Sequence, residues 1–167
     1  MPRVFRSSLP DGYFHVFARG VDGCAIFLTV EDRRRFLTLV SACSVVHRWR
    51  FHALCLMTTH YHFVLDCTRP DLSRGMQRLN GIYAQWFNRR HVRFGPLFAG
   101  RFTSRAIAHE RYLVRVCRYV VENPVRAGLC ESVGDWPWAH SRYAGAAPDA
   151  RSYGPDLRAT YQPISIS

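Results

Sequence analysis

Two histidines stand two positions apart where an apolar run begins, in the stretch TTHYHFV at residues 58–64. In a strand His60 and His62 point to one face and Tyr61 to the other, because side-chain direction alternates with period two. In a helix the same pair would sit about 200° apart around the axis and share nothing. On a strand the pair has two readings. The rings are structural or surface histidines, or they are two neutral imidazoles that bind a divalent metal, with a third ligand from elsewhere and positions left open for a substrate.

A second set of candidates lies at RYVVENP, residues 118–124. On a helical wheel Leu113, Val116, Cys117, Val120 and Val121 form one apolar face, and Arg111, Arg115, Arg118 and Glu122 lie opposite. Tyr119 and Asn123, one turn apart, stand on the edge between these faces. A phenol and an amide there can face a metal on the sheet and stay reachable from outside. Tyr112 lies on the same stripe and is the rival nucleophile. Either tyrosine also fits an ordinary amphipathic boundary, with the ring buried and the hydroxyl wet.

The elements that must position these groups follow from the hydrophobic pattern. GYFHVFARG, residues 12–20, is rich in β formers and reads as a first strand. Residues 31–49 open with two acids and then place Phe36, Leu37, Val40, Cys43 and Val46 at helical spacing. FHALCLM (51–57) and YHFVLDC (61–67) form an antiparallel pair, central in a sheet because both are apolar almost throughout. Pro70 and Asp71 begin a second helix whose apolar stripe runs from Leu72 to Phe87 and leaves Arg74, Arg78, Arg89 and Arg90 exposed. A glycine-bounded loop (94–100), a strand (101–108) and a third helix ending before Pro124 complete the body, with Trp136 and Trp138 packing on it as lids. The order β-α-β-β-α-β-α predicts an α+β fold of the ferredoxin-like split βαβ type, an antiparallel sheet with helices on one face and an extra C-terminal helix. Residues 1–144 form the expected domain, and residues 145–167, rich in Ala, Pro, Gly and Ser, a flexible tail.

Composition narrows the function classes. The 167 residues suit a single domain, and an apolar fraction of 48% places the chain among globular proteins. No apolar run approaches the ~20 residues of a membrane-spanning helix, and MPRVFRSSLPDGYF lacks the apolar core of a signal peptide. The six cysteines contain no Cys-x-x-Cys pair, which favours reduced thiols in a cytoplasmic protein over a structural zinc site. All 23 basic residues are arginine against 12 acids, a net charge of +11. The excess is concentrated between Arg69 and Arg126, where twelve arginines face three acids. Such a balance marks a partner with phosphates.

Four blocks then carry a resemblance: LMTTHYHFVLD, LSRGMQRLNGIYAQWFNRRH, GPLFAGRF and RYVVENPVRAGL. In this order and spacing they resemble the single-tyrosine transposases of the HUH superfamily, in particular the group associated with repetitive extragenic palindromes and the related IS200-like enzymes. The match runs over roughly residues 10–143. The resemblance implies that His60 and His62 bind a divalent ion, Mg²⁺ or Mn²⁺, that Asn123 completes the metal site, and that Tyr119, which opens the Tyr-Val-x-x-Asn-Pro block, displaces Tyr112 as nucleophile. It departs from the family at Thr58-Thr59, where Pro-Asn is frequent, and in the loop RGVDGCAIF after the first strand.

The implied chemistry is cleavage and rejoining of single-stranded or hairpin DNA near the nucleoid. A phenol near pKa 10 is a weak nucleophile and needs an ion to polarise the phosphate. Attack yields a 5′-phosphotyrosine and a free 3′-OH, so the bond energy is kept and no ATP-binding loop is needed. Imidazole ligands suit manganese better than magnesium. Arg74, Arg78, Arg89, Arg90, Arg101 and Arg105 become candidates for phosphate contacts. Relatives occur as swapped dimers and as monomers, so a monomer and a homodimer are both compatible. The rival class is a non-catalytic nucleic-acid-binding module on an RRM-like fold, which would present exposed aromatics on its two central strands.

Overall fold

A computed structural model of the chain describes residues 11–143, and the expected tail lies outside them. Strand β1 (Gly12–Arg19) leads to helix α1 (Val30–His47), a hairpin of β2 (Arg50–Leu56) and β3 (His60–Cys67), helix α2 (Arg69–Arg90), β4 (Thr103–Ile107), α3 (Glu110–Arg126) and a short β5 (Ala139–Ser141). Every pairing is antiparallel, in the order β4-β1-β3-β2-β5. The first four strands and α1 and α2 reproduce the ferredoxin-like split βαβ arrangement. The three residues of β5 extend the sheet beyond β2.

Local chemistry sets the helix ends. Thr29 Oγ1 accepts the Asp32 N–H while the Asp32 carboxylate accepts the Thr29 N–H, a capping box that starts α1. Arg48 in the left-handed region, φ 53°, stops it two residues before the sequence pattern suggests. Thr68 caps α2, with Pro70 in its first turn. Asp32, fully buried, also bonds the His91 ring at 2.9 Å and so ties the start of α1 to the end of α2.

The helices do not share one face of the sheet, and the expectation that they would is corrected here. Phe14 and Val16 of β1 and Tyr61, Phe63 and Leu65 of β3 form a core with α1 and α2. Ala53 and Cys55 of β2, Val64 of β3 and Ile107 of β4 form a second core with Leu113, Val116, Cys117, Val120 and Val121 of α3. The strands β2 and β3 are apolar on both sides because both sides are covered. This arrangement also separates the fold from an RRM-like platform: the sheet face opposite α1 and α2, which an RRM keeps open for stacking bases, is covered here by α3. Among the described residues no helix is long and apolar enough to cross a membrane, and all six cysteines are free.

The third helix continues through Pro124 to Arg126. Proline cannot donate to the carbonyl four residues back, here that of Val120. The Asn123 side-chain amide substitutes, donating to Val120 O at 3.2 Å and to Tyr119 O at 3.0 Å. The helix therefore ends one turn later than the proline alone predicts.

Candidate active site

The turn before β3 is pinned by the loop after β1. Gly20 N–H donates to Thr59 O at 2.8 Å and Ile26 N–H to Thr58 O at 2.9 Å. A side chain at position 20 would overlap the Cys24 carbonyl, so the close approach needs glycine. His60 then opens β3, and strand alternation turns His60, His62 and Val64 toward α3. The two imidazoles stand with ring centres 5.1 Å apart and planes at 89°.

A third ring joins them. In the antiparallel register Phe17 pairs with His62 and His15 with Val64, so His15 is a diagonal neighbour of His62 on the same side. His15 Nε2 lies 3.0 Å from His62 Nδ1. Thr59 Oγ1 lies 3.0 Å from His60 Nδ1. Each HxH imidazole thus has Nδ1 engaged by a neighbour, which leaves Nε2 as the nitrogen for a ligand.

Burial holds these rings neutral. It lowers His62 to about 3, with His15, His60 and Arg19 adding to the effect, and His15 to about 4, helped by Arg105. His60 is lowered by burial and by Arg19. A neutral imidazole keeps the lone pair that a metal requires.

Tyr119 of α3 brings its ring edge-on to His62 and His15, with centres 6.3 and 6.2 Å away. Its side chain is 41% exposed, and the Arg126 guanidinium sits 5.0 Å from its ring centre. Asn123, one turn on, has its amide nitrogen committed to the helix backbone, so Oδ1 is the atom available to the cleft. His15, His60, His62, Tyr119 and Asn123 line one cleft of about 900 Å³. Tyr112 lines it too, without the ring contacts to His15 and His62 that Tyr119 makes.

The donors suit a divalent ion. Among the described residues no cluster of three or more His, Cys, Asp or Glu side chains could hold a metal. The residues that could hold an ion here are of another kind, the neutral imidazoles of His60 and His62 with the Asn123 amide oxygen, all on the lining of the one cleft.

The cleft is basic. Arg19, Arg105, Arg115, Arg118 and Arg126 line it against Glu122 alone, which is itself paired with Arg126 at 2.9 Å. Of the six arginines singled out in the sequence, Arg105 lies here. Arg74, Arg78 and Arg89 are exposed on α2, across the sheet, and Arg90 there pairs with Asp32 at 3.5 Å. Arg101 lines a smaller pocket of about 390 Å³ with Gln77 and Asn80. The sequence pattern does not single out His15, a lone histidine in a strand, and it puts Arg115 and Arg118 opposite the apolar face of α3 without marking them as contacts. Arg115, one turn before Tyr119, could have been found by that spacing, whereas Arg118 is its immediate neighbour and carries no such signal.

Comparison with known proteins now has a geometry to meet. The chain matches the IS200-like transposase family over residues 24–123, more than half its length. No curated protein matches it. A REP-associated tyrosine transposase solved with a REP hairpin shares the fold at 17% identity and a TM-score of 0.68, over 83% of this chain and 82% of that one. A crystallised Deinococcus radiodurans R1 chain aligns at 15% identity and a TM-score of 0.44, over 72% and 95%. The family match takes in the hairpin strand with His60 and His62 and the helix through Asn123, and the chain belongs to the IS200-like transposases.

Proposed function

We propose that this transposase cleaves and rejoins single-stranded DNA beside a hairpin of the repetitive-palindrome type, with Tyr119 as nucleophile and Mg²⁺ or Mn²⁺ held by His60, His62 and Asn123. One observation carries the reading: the Tyr119 ring packs against His62 inside a cleft lined by five arginines. The ion, when bound, supplies the positive charge that polarises the scissile phosphate. The chain's own residues do the rest. The arginines of the cleft, Arg105 among them, hold the strand by its phosphates, and α3 presents the phenol to the reacting phosphorus. The Tyr119 oxygen bonds to phosphorus as the bond to the 3′ oxygen breaks, giving a 5′-phosphotyrosine and a 3′-OH. A second 3′-OH reverses the step.

A hairpin substrate is supported by the relative solved with a REP hairpin, and a site on the cytoplasmic nucleoid follows from such a substrate. The acting form is proposed as a monomer or a homodimer.

The test is a hairpin-flanked oligonucleotide incubated with protein and Mn²⁺. The expected result is a nick and a covalent protein–DNA adduct, both lost in EDTA. Tyr119→Phe abolishes the adduct and Tyr112→Phe keeps it. An adduct that survives Tyr119→Phe overturns the assignment. Undiminished binding in EDTA with no cleavage of any hairpin would favour a binding module instead.

A further inference from the structure

Two contacts fix the HxH imidazoles, and they come from different places. His60 has its Nδ1 against Thr59 Oγ1, the residue before it in the chain. His62 has no such neighbour in sequence. Its Nδ1 meets His15 Nε2 at 3.0 Å, from a strand 47 residues earlier. His15 is 8% exposed, and its ring lies 24° from parallel to that of His62 with centres 5.2 Å apart.

We propose that His15 is a positioning residue that sets the tautomer of His62, so that Nε2 is the nitrogen offered to the metal. The inference rests on the metal reading above. A hydrogen bond between two ring nitrogens needs one donor and one acceptor. If His62 is to bind an ion through Nε2, that atom carries a lone pair, and the ring proton must be on Nδ1. His62 Nδ1–H then donates to His15 Nε2, and His15 keeps its own proton on Nδ1. Free histidine prefers the opposite tautomer, with the proton on Nε2 and no lone pair there. The opposite order, with His15 Nε2–H donating, would place the His62 proton on Nε2 and leave no lone pair there, so the direction of this one bond decides whether His62 can offer Nε2 to an ion. Ligating histidines commonly have their other nitrogen held in this way, and losing the partner weakens metal affinity about 10–100-fold. His15 also stands edge-on to Tyr119 at 6.2 Å, so the ring that orients the ligand also packs beside the nucleophile.

The experiment uses the full chain, with His15→Phe removing the acceptor and His15→Gln placing an amide oxygen where Nε2 was. Long-range ¹⁵N–¹H correlation on the metal-free protein reads the tautomer directly. The expected result is Nδ1–H at His62 in the unsubstituted protein and in His15→Gln, and loss of that preference in His15→Phe. Calorimetric titration with Mn²⁺ alone should show binding about 10–100-fold weaker in His15→Phe and within a few-fold of normal in His15→Gln. Pulsed electron paramagnetic resonance of bound Mn²⁺ should count two histidine nitrogens. A proton on His62 Nε2 in the unsubstituted protein overturns the proposal without any variant. Unchanged Mn²⁺ affinity in a folded His15→Phe protein overturns it too, and three coordinated histidine nitrogens would make His15 a ligand instead. If the unsubstituted protein binds no Mn²⁺, the metal reading falls, while the tautomer spectrum still upholds or overturns the His15 contact.

Discussion

His52 is 1% exposed on β2, and neither of its ring nitrogens has a hydrogen-bond partner among the described residues. Tyr13 meets it edge-on and Tyr143 stacks on it, while Arg142 and Arg50 add positive charge nearby. Burial first, and these two arginines second, push its pKa down to about 4. The folded state then binds fewer protons than the unfolded chain between about pH 6.5 and 4. The stability that this neutral ring contributes is complete above the unfolded pKa and is lost as pH falls toward the folded one. Between pH 7 and 5 the expected loss from His52 is about 2 kcal/mol. His52→Phe, which has nothing to protonate, should flatten the acid limb by that amount in urea unfolding at the two pH values. An equal slope in both proteins would show that the ring is not held neutral. Single residues of this kind are hard to read from sequence. Period two places His60 and His62 on one face and period 3.6 leaves Tyr119 and Tyr112 as rivals, so the choice of Tyr119 rests on the family resemblance and not on the pattern. His15 and His52 are lone histidines in apolar strands, and only the register of β1 on β3 shows that one of them touches the site.

At the scale of elements, the sequence pattern yields the three helices and four of the strands, and its errors have physical causes. Pro124 predicts an end to α3, yet the helix runs on because Asn123 supplies the donor that Pro124 lacks. The pair Asn-Pro thus works as a unit: the amide nitrogen repairs the helix, and the amide oxygen is left for the cleft. A double-mutant cycle tests it. Asn123→Ala alone should cost about 1 kcal/mol of unfolding free energy, the net worth of a typical hydrogen bond. With Pro124→Ala in place, the backbone N–H of residue 124 can reach Val120 O, and the same Asn123 substitution should cost less by at least ~0.5 kcal/mol. Strict additivity would mean that the amide does not support the helix. The placement of α3 across the sheet from α1 and α2 was readable in principle. Residues 51–57 and 61–67 are apolar on both alternating faces, and a strand exposed on one face would not be. The three-residue β5 carries too short a pattern to detect.

For the whole molecule the question is whether net charge or its placement binds the DNA. A total of +11 attracts any polyanion, but attraction from the far side is screened beyond roughly 10 Å at 0.1 M salt. The cleft and the exposed side of α2 are separated by the sheet and the helix itself, and packed layers lie about 10 Å apart. Two triple variants remove the same charge from the two places. Arg105→Ala, Arg115→Ala and Arg118→Ala take it from the cleft, and Arg74→Ala, Arg78→Ala and Arg89→Ala take it from α2. For single strands the logarithm of affinity falls with the logarithm of salt by about 0.7 per phosphate contact. The cleft variant should therefore lower the salt slope for a hairpin-flanked oligonucleotide by about 2, three contacts at that value. The α2 variant should leave it unchanged, because charge without contact releases no counterion. A slope lowered equally by both would mean that the hairpin wraps around the sheet edge onto α2, and that the six arginines marked in the sequence form one track with the cleft.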